Sequence, residues 1–167
     1  MEPKVILESL LFIADEPVEI DHLVEVLGLD KETIAVIIEE LAKEYSGRGI
    51  RLQRLGGKIQ MVSAPEAAPY VERFLETKPA RKLSQAALET LAIIAYLQPI
   101  TRAQIEAIRG VNSDGVIRSL LSKGLIEEVG HLDSPGRPAL YGTTFQFLKY
   151  FGLERLEDLP PLEGENA

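Results

Sequence analysis

The chain offers few side chains with which to do chemistry. Its 167 residues include two histidines and no cysteine. His22 and His131 sit in different halves of the chain and show no metal-ligand spacing. Surface or loop positions account for both. Without cysteine there is no thiolate nucleophile, thiolate metal site or disulfide. Carboxylates occur as the adjacent pairs Glu39-Glu40 and Glu127-Glu128. Neighbours on a helix or strand point in different directions, so neither pair suits shared acid–base work. There is no glycine-rich phosphate loop, nucleophile elbow or zinc-protease helix motif. The expectation is a protein that is not an enzyme, with no catalytic residue, no metal and no cofactor.

The cations raise the question of nucleic acid. The formal net charge is −8, distributed as −7 over residues 1–77, +3 over 78–152 and −4 over 153–167. An acidic first half repels phosphate, and the mildly basic second part could bind it only weakly. A helix that reads the major groove needs Arg or Lys on its exposed face. The segment from Asp30 to Glu44 offers Lys31 and Lys43 against five acidic side chains; the segment from Asn112 to Lys123 offers Arg118 and Lys123 against Asp114. A DNA-binding regulator therefore stands as the alternative reading, and direct DNA contact is expected to be absent or weak.

The elements that must position these residues come in two sets. In the first, helices are expected at about 4–14, Glu19–Leu27 and from Asp30 to Tyr45. Gly28 stops the second helix in the left-handed conformation that glycine adopts most cheaply, and Asp30 caps the third. Alternating runs around Gly56-Gly57 predict a hairpin with a two-residue turn. An extra helix over Pro65–Glu76 and a linker over Thr77–Leu83 follow. The second set is read as helices at about 85–97, 101–109 and 112–123, capped by Ser84 and by Asn112 or Ser113. Strands at Leu125–Val129 and Ala139–Thr143 flank a loop holding Pro135-Gly136-Arg137-Pro138, and a closing helix buries Phe147, Leu148 and Phe151. Three helices and a two-stranded wing make a winged helix. The fold class is thus mainly α with small β-hairpins (α+β), as two tandem winged-helix domains. The domains are 1–77 and 78–152, with a flexible acidic tail at 153–167.

An internal repeat supports the duplication. Leu7, Glu8, Leu10, Ile13 and Ala14 recur as Leu88, Glu89, Leu91, Ile94 and Ala95. Pro17 with Gly28 recurs as Pro99 with Gly110, after a one-residue insertion.

Residues 5–13 leave almost no polar face on the first helix. A helix that is apolar all round must be covered on more than one side. Either the wing and the 65–76 helix cover it, or a second copy does. Val36-Ile37-Ile38 widens the third helix in the same way. Val5–Ala14 is too short to span a membrane, which needs about 20 apolar residues. With no secretory segment recognised, a cytoplasmic protein is expected.

The chain resembles a known family through several segments together: Leu83-Ser84-Gln85-Ala86-Ala87-Leu88-Glu89-Thr90-Leu91, Gln98-Pro99-Ile100-Thr101-Arg102, Ile108-Arg109-Gly110-Val111-Asn112-Ser113-Asp114, Pro135-Gly136-Arg137-Pro138, Leu140-Tyr141-Gly142-Thr143-Thr144 and Asp158-Leu159-Pro160-Pro161-Leu162. These are similar to segregation and condensation protein B (ScpB), an accessory subunit of the bacterial condensin-like complex. The resemblance implies two winged-helix domains, homodimers through the first domain, and binding to the kleisin subunit ScpA. Through ScpA the family reaches the SMC ATPase that encircles DNA, and it acts in chromosome condensation and segregation at the nucleoid. No membrane and no small-molecule substrate is implied. Candidate dimer-interface residues are Ile6, Leu10, Leu11, Phe12 and Ile37. Candidate kleisin contacts are Arg102, Arg109, Arg137 and Tyr141, each with the alternative that it serves the turn or the packing of the second domain.

Overall fold

A computed structural model describes residues 1–78 and 81–162. The chain divides into two units, one of residues 1–78 with the segment from Gly152 onward, the other running from Pro79 to Phe151.

The first unit opens with α1 (Pro3–Ile13), whose Pro3 occupies the first turn, where a missing N–H costs nothing. Strand β1 (Val18–Glu19) leads into α2 (Ile20–Leu27), which ends on left-handed Gly28. Asp30 then caps α3 (Lys31–Glu44) by accepting from the Thr33 N–H at 2.8 Å. Strands β2 (Ile50–Leu55) and β3 (Lys58–Ser63) pair antiparallel, with Leu55 opposite Lys58. Both turn residues, Gly56 and Gly57, have positive φ, as the expected primed turn requires. The core holds Leu7, Leu11, Leu23, Ile34, Ile38 and Ile59. A 3-10 turn (Pro65–Ala67) and α4 (Ala68–Phe74) follow.

The second unit repeats the order with α5 (Gln85–Leu97), β4 (Ile100–Thr101), α6 (Arg102–Arg109), α7 (Asp114–Ser122), β5 (Ile126–His131), β6 (Ala139–Thr143) and α8 (Phe145–Phe151). Ser84 caps α5 through the Ala87 N–H at 3.1 Å. Of the two expected caps on α7, the Asn112 side chain accepts from the Asp114 N–H at 3.1 Å, while Ser113 holds the cap position without a side-chain cap bond. Both units are winged helices, the α+β class expected. Each sheet has three strands rather than two, in the orders β1-β3-β2 and β4-β6-β5. The two-residue strands β1 and β4 lie directly before helices and are too short to carry alternation, so the hydrophobic pattern does not reveal them.

Three expectations need correction. The segment after residue 152 is not a free tail over its described part. Leu156–Asp158 form a 3-10 turn, the Arg54 N–H donates to the Glu154 carbonyl at 2.8 Å, and Arg155 bridges to Arg54 in parallel, on the edge of β2. Residues 163–167, and Pro79 and Ala80 of the expected linker, lie outside the described residues. Phe151 is exposed rather than buried; Phe147 and Leu148 supply the buried face of α8. Finally, the first-helix repeat is out of register with burial. Leu7 is 0% exposed but its sequence match Leu88 is 37% exposed, whereas Leu7 with Leu91 and Leu11 with Ala95 pair buried positions. Two apolar helices match in several registers, and the sequence alignment chose one that packing does not use.

Candidate partner-binding surfaces

The structure leaves the histidines and carboxylate pairs without a shared site. His22 is exposed and 3.7 Å from Glu25; His131 is exposed at the end of β5. Glu39 pairs with Arg54 at 2.6 Å, and Glu127 and Glu128 face solvent on β5. Among the described residues no three His, Asp or Glu side chains group as a metal cage, and no helix is long and apolar enough to cross a membrane.

What the first unit presents instead is apolar surface. Helix α1 turns Leu7 and Leu11 inward, and Phe12 and Ile13 outward with 78% of each exposed. Ile6 and Leu10 are half-buried, and Leu10 packs on the core. The dimer candidates therefore separate. Leu11, 1% exposed, and Ile37, 9% exposed, are core residues and present no surface, because the α1 and α3 stripes that hold them already face each other. Phe12 is available, as are Ile13, Val5 and Val36 of the apolar runs on α1 and α3.

Beside Phe12 lies a groove of about 450 Å³ bounded by α1, the end of α3 and the hairpin; Glu8, Tyr45, Arg48, Ile50 and Met61 line it with Phe12. Tyr45 forms its floor and donates its hydroxyl to Glu8 at 2.5 Å. Burial, then the hydrogen bond to the Glu8 carboxylate, push the Tyr45 phenol well above its ordinary value. The hydroxyl stays a donor to Glu8, which with Arg48 and Ser9 sets polar groups among the apolar walls.

In the second unit the four kleisin candidates divide. Arg102, at the start of α6, pairs with Asp114 at 3.0 Å and with Glu106 at 3.6 Å. Tyr141 lies on β6 between Ile100 and Glu128. Burial raises its phenol first and the Glu128 carboxylate second, while Arg102 opposes both. Arg102 and Tyr141 thus share one electrostatic neighbourhood. Arg109 does not join them as a surface group. Its side chain is 7% exposed, with Nη2 3.6 Å from Glu89 and Nη1 donating to Ser113 Oγ at 2.8 Å. Its place is inside the joint between α5, α6 and the α7 cap, where the two terminal nitrogens of one planar guanidinium reach both partners. Arg137 is exposed at positive φ in the loop between β5 and β6, donating its N–H to the Ser134 carbonyl at 2.9 Å. It serves the turn and stands apart from the Arg102–Tyr141 pair. Arg118, which with Lys123 is one of the two cations weighed for phosphate on this helix, pairs with Asp114 at 2.5 Å, so one carboxylate engages two of the arginines.

The sequence reading overlooked exposed apolar groups: Ile108 and Val111 around the end of α6, and Tyr70, Phe74 and Leu75 on and after α4. Ile108 stands three residues after buried Ile105, the spacing of one helix face, so its exposure is not announced by the pattern.

Known proteins agree with one another about this chain. The model of a family described as "Segregation and condensation complex subunit ScpB" matches residues 5–162. "Segregation and condensation protein B" of Symbiobacterium thermophilum is 51% identical over 166 residues, covering 98% of this chain and 75% of that one. The crystal structure of ScpB from Mycobacterium tuberculosis is 42% identical, covers 91% of this chain and 96% of that one, and superposes with a TM-score of 0.43. A crystal structure described as a dimer of the ScpB N-terminal domain complexed with ScpA peptide is 32% identical, covers 47% of this chain and 98% of that one, and has a TM-score of 0.42. With a family match that spans both winged-helix units and a relative identical at half of all positions, the chain belongs to the segregation and condensation complex subunit ScpB family.

Proposed function

We propose that the chain is a non-catalytic accessory subunit of a bacterial condensin-like SMC–kleisin complex. It acts as a homodimer through its first unit, binds the kleisin ScpA, and serves chromosome condensation and segregation in the cytoplasm at the nucleoid. The observation that carries this reading is the family match over residues 5–162, a family described as a subunit of a segregation and condensation complex. One ScpB N-terminal domain is described as a dimer complexed with an ScpA peptide, and the proposal extends both properties to this chain. The physical features are of the right kind. The first unit offers exposed aromatic and aliphatic side chains rather than cations, as protein-binding surfaces do. Besides the first unit, Arg102 and Tyr141 of the second, residue types enriched at the centres of interfaces, are further candidate kleisin contacts, with Ile108 and Val111 as exposed apolar groups on the same unit. Arg102 and Arg118 both engage Asp114, so neither stands free for phosphate, which favours reaching DNA through the kleisin and the ATPase.

The test is to mix the purified chain with its cognate ScpA at micromolar concentration and follow both by size-exclusion chromatography. A co-eluting complex that survives raised salt is expected. Separate elution, or steep salt-sensitive binding to DNA in place of ScpA, overturns the reading.

A further inference from the structure

The first unit carries a short helix, α4, with no fully buried residue and, at the helix's base, an open groove with apolar walls. Phe74 is 86% exposed, and Tyr70 and Leu75 are exposed with it. The spacing places Tyr70 and Phe74 on one face and Val71 and Leu75 beside them. Seven residues fall well short of the roughly 12–15 at which an isolated helix becomes even marginally stable in water. Such a helix persists only by packing.

Its attachment point is the groove's rim. The Ala64 N–H donates to the Gly49 carbonyl at 2.8 Å, and Glu66 lies 3.4 Å from Arg51. Gly49 and Ile50 line the groove. The arm therefore starts at the groove's rim, with Phe74 exposed and Tyr70 met by Arg73, whose guanidinium carbon lies 5.1 Å from the ring centroid. The groove's volume of about 450 Å³ lies within the roughly 300–1,000 Å³ of clefts that enclose ligands larger than one ring. Its walls, Phe12, Ile50 and Met61, are apolar, and its two charged groups, Arg48 and Glu8, can meet charges of opposite sign at Glu72 and Arg73 of α4.

We infer that α4 is an arm exchanged between two copies of this chain, each inserting Tyr70 and Phe74 into the other's groove against Phe12 and Ile50. The inference rests on the homodimer reading and specifies its contact. A two-fold axis makes such a contact reciprocal, so one partner of the same sequence covers the helix and the groove at once. A foreign peptide in the groove would leave the arm uncovered. Three aromatic rings per protomer, at about 150–250 Å² each, bring the pair to roughly 900–1,500 Å², comparable to the ~1,200–2,000 Å² of a stable interface.

The test uses the full chain. Phe74→Asp removes no buried contact, so circular dichroism should be unchanged while sedimentation equilibrium shows dimerisation weakened at least about thirtyfold. Ile108→Asp, in the second unit, should dimerise as wild type. Because the chain has no cysteine, single-cysteine variants give a second measurement. Phe74→Cys mixed with Ile50→Cys should oxidise to a covalent heterodimer, and neither variant alone should do so. A Phe74→Asp chain that dimerises normally, or Phe74→Cys cross-linking only to itself, overturns the exchange while leaving the homodimer standing. A wild-type chain that sediments as a monomer overturns both.

Discussion

The side-chain amide of Gln53 donates to the main-chain carbonyl of Leu153 at 2.9 Å, across 100 residues of chain. Gln53 is buried on β2, and its carbonyl oxygen accepts from Gln60 at 2.9 Å. One side chain thus ties the segment after the second unit to the sheet of the first. Arg54, one residue on, adds the main-chain bond to Glu154.

Gln53→Ala leaves the Leu153 carbonyl and the Gln60 amide without partners. An unmade buried hydrogen bond costs about 1–3 kcal/mol. Urea denaturation should show a loss of that order. Trypsin should cut at Arg155 faster in the native variant than in the native wild type. Equal cutting rates would mean that the segment is held by other contacts.

Gly142 shows a constraint of a different kind. A Cβ at this position would stand 3.0 Å from Gln98 Oε1 and 3.0 Å from Val129 Cγ1. Gln98 Oε1 accepts from the Thr143 N–H at 3.0 Å, so it is not free to withdraw. Gly142→Ala should destabilise the second unit by about 1–3 kcal/mol through overpacking. Gly130→Ala, whose Cβ meets nothing closer than 4.0 Å, should leave Tm nearly unchanged. Thermal unfolding of the full chain compares the two.

Leu11 and Phe12 are neighbours on α1 with opposite surroundings. Leu11→Ala should cost about 2–5 kcal/mol, as core truncations do, and lower the unfolding midpoint. Phe12→Glu should leave that midpoint nearly unchanged when extrapolated to dilute monomer and weaken self-association. Equal effects on folding from both changes would contradict the division of α1 into a core face and a partner face.

Acid sensitivity should report Glu39. The hydrogen bond from Arg54 holds its carboxyl below the ordinary value of 4.5, with further help from the Arg54 and Arg155 charges and against some burial. A carboxylate whose pKa is lower folded than unfolded stabilises fully above the unfolded value and loses that contribution as pH falls through the folded one. Wild type should therefore exceed Glu39→Gln in stability near neutrality. The two should converge as pH falls below the ordinary carboxylate range, as followed by urea midpoints across pH. A gap that persists at acid pH would assign the effect to packing instead.

The helices were legible because their signals are local. Asp30, Gly28, Ser84 and the Gly56-Gly57 turn act within a few residues, and each does what its type suggests. Relationships that need the folded chain were not legible. Gln98 and Thr143 stood in two separate sequence motifs, and only folding shows that one hydrogen-bonds the other. Arg109 reads as a surface cation, yet burial against Ser113 and Glu89 makes it part of a helix joint. Leu11 and Phe12 are both apolar on an apolar helix, and periodicity cannot say which faces inward when nearly every position could. The strap at 153–158 depends on main-chain bonds to the edge of β2, and main-chain bonds leave no mark on side-chain pattern.

Sedimentation equilibrium of the full chain, alone and with cognate ScpA, tests the central claim most directly. The account predicts twice the chain mass for the protein alone, and a heavier complex containing two copies of this chain once ScpA is added. A chain that stays monomeric, or that stays unbound beside ScpA at micromolar concentration, would contradict it.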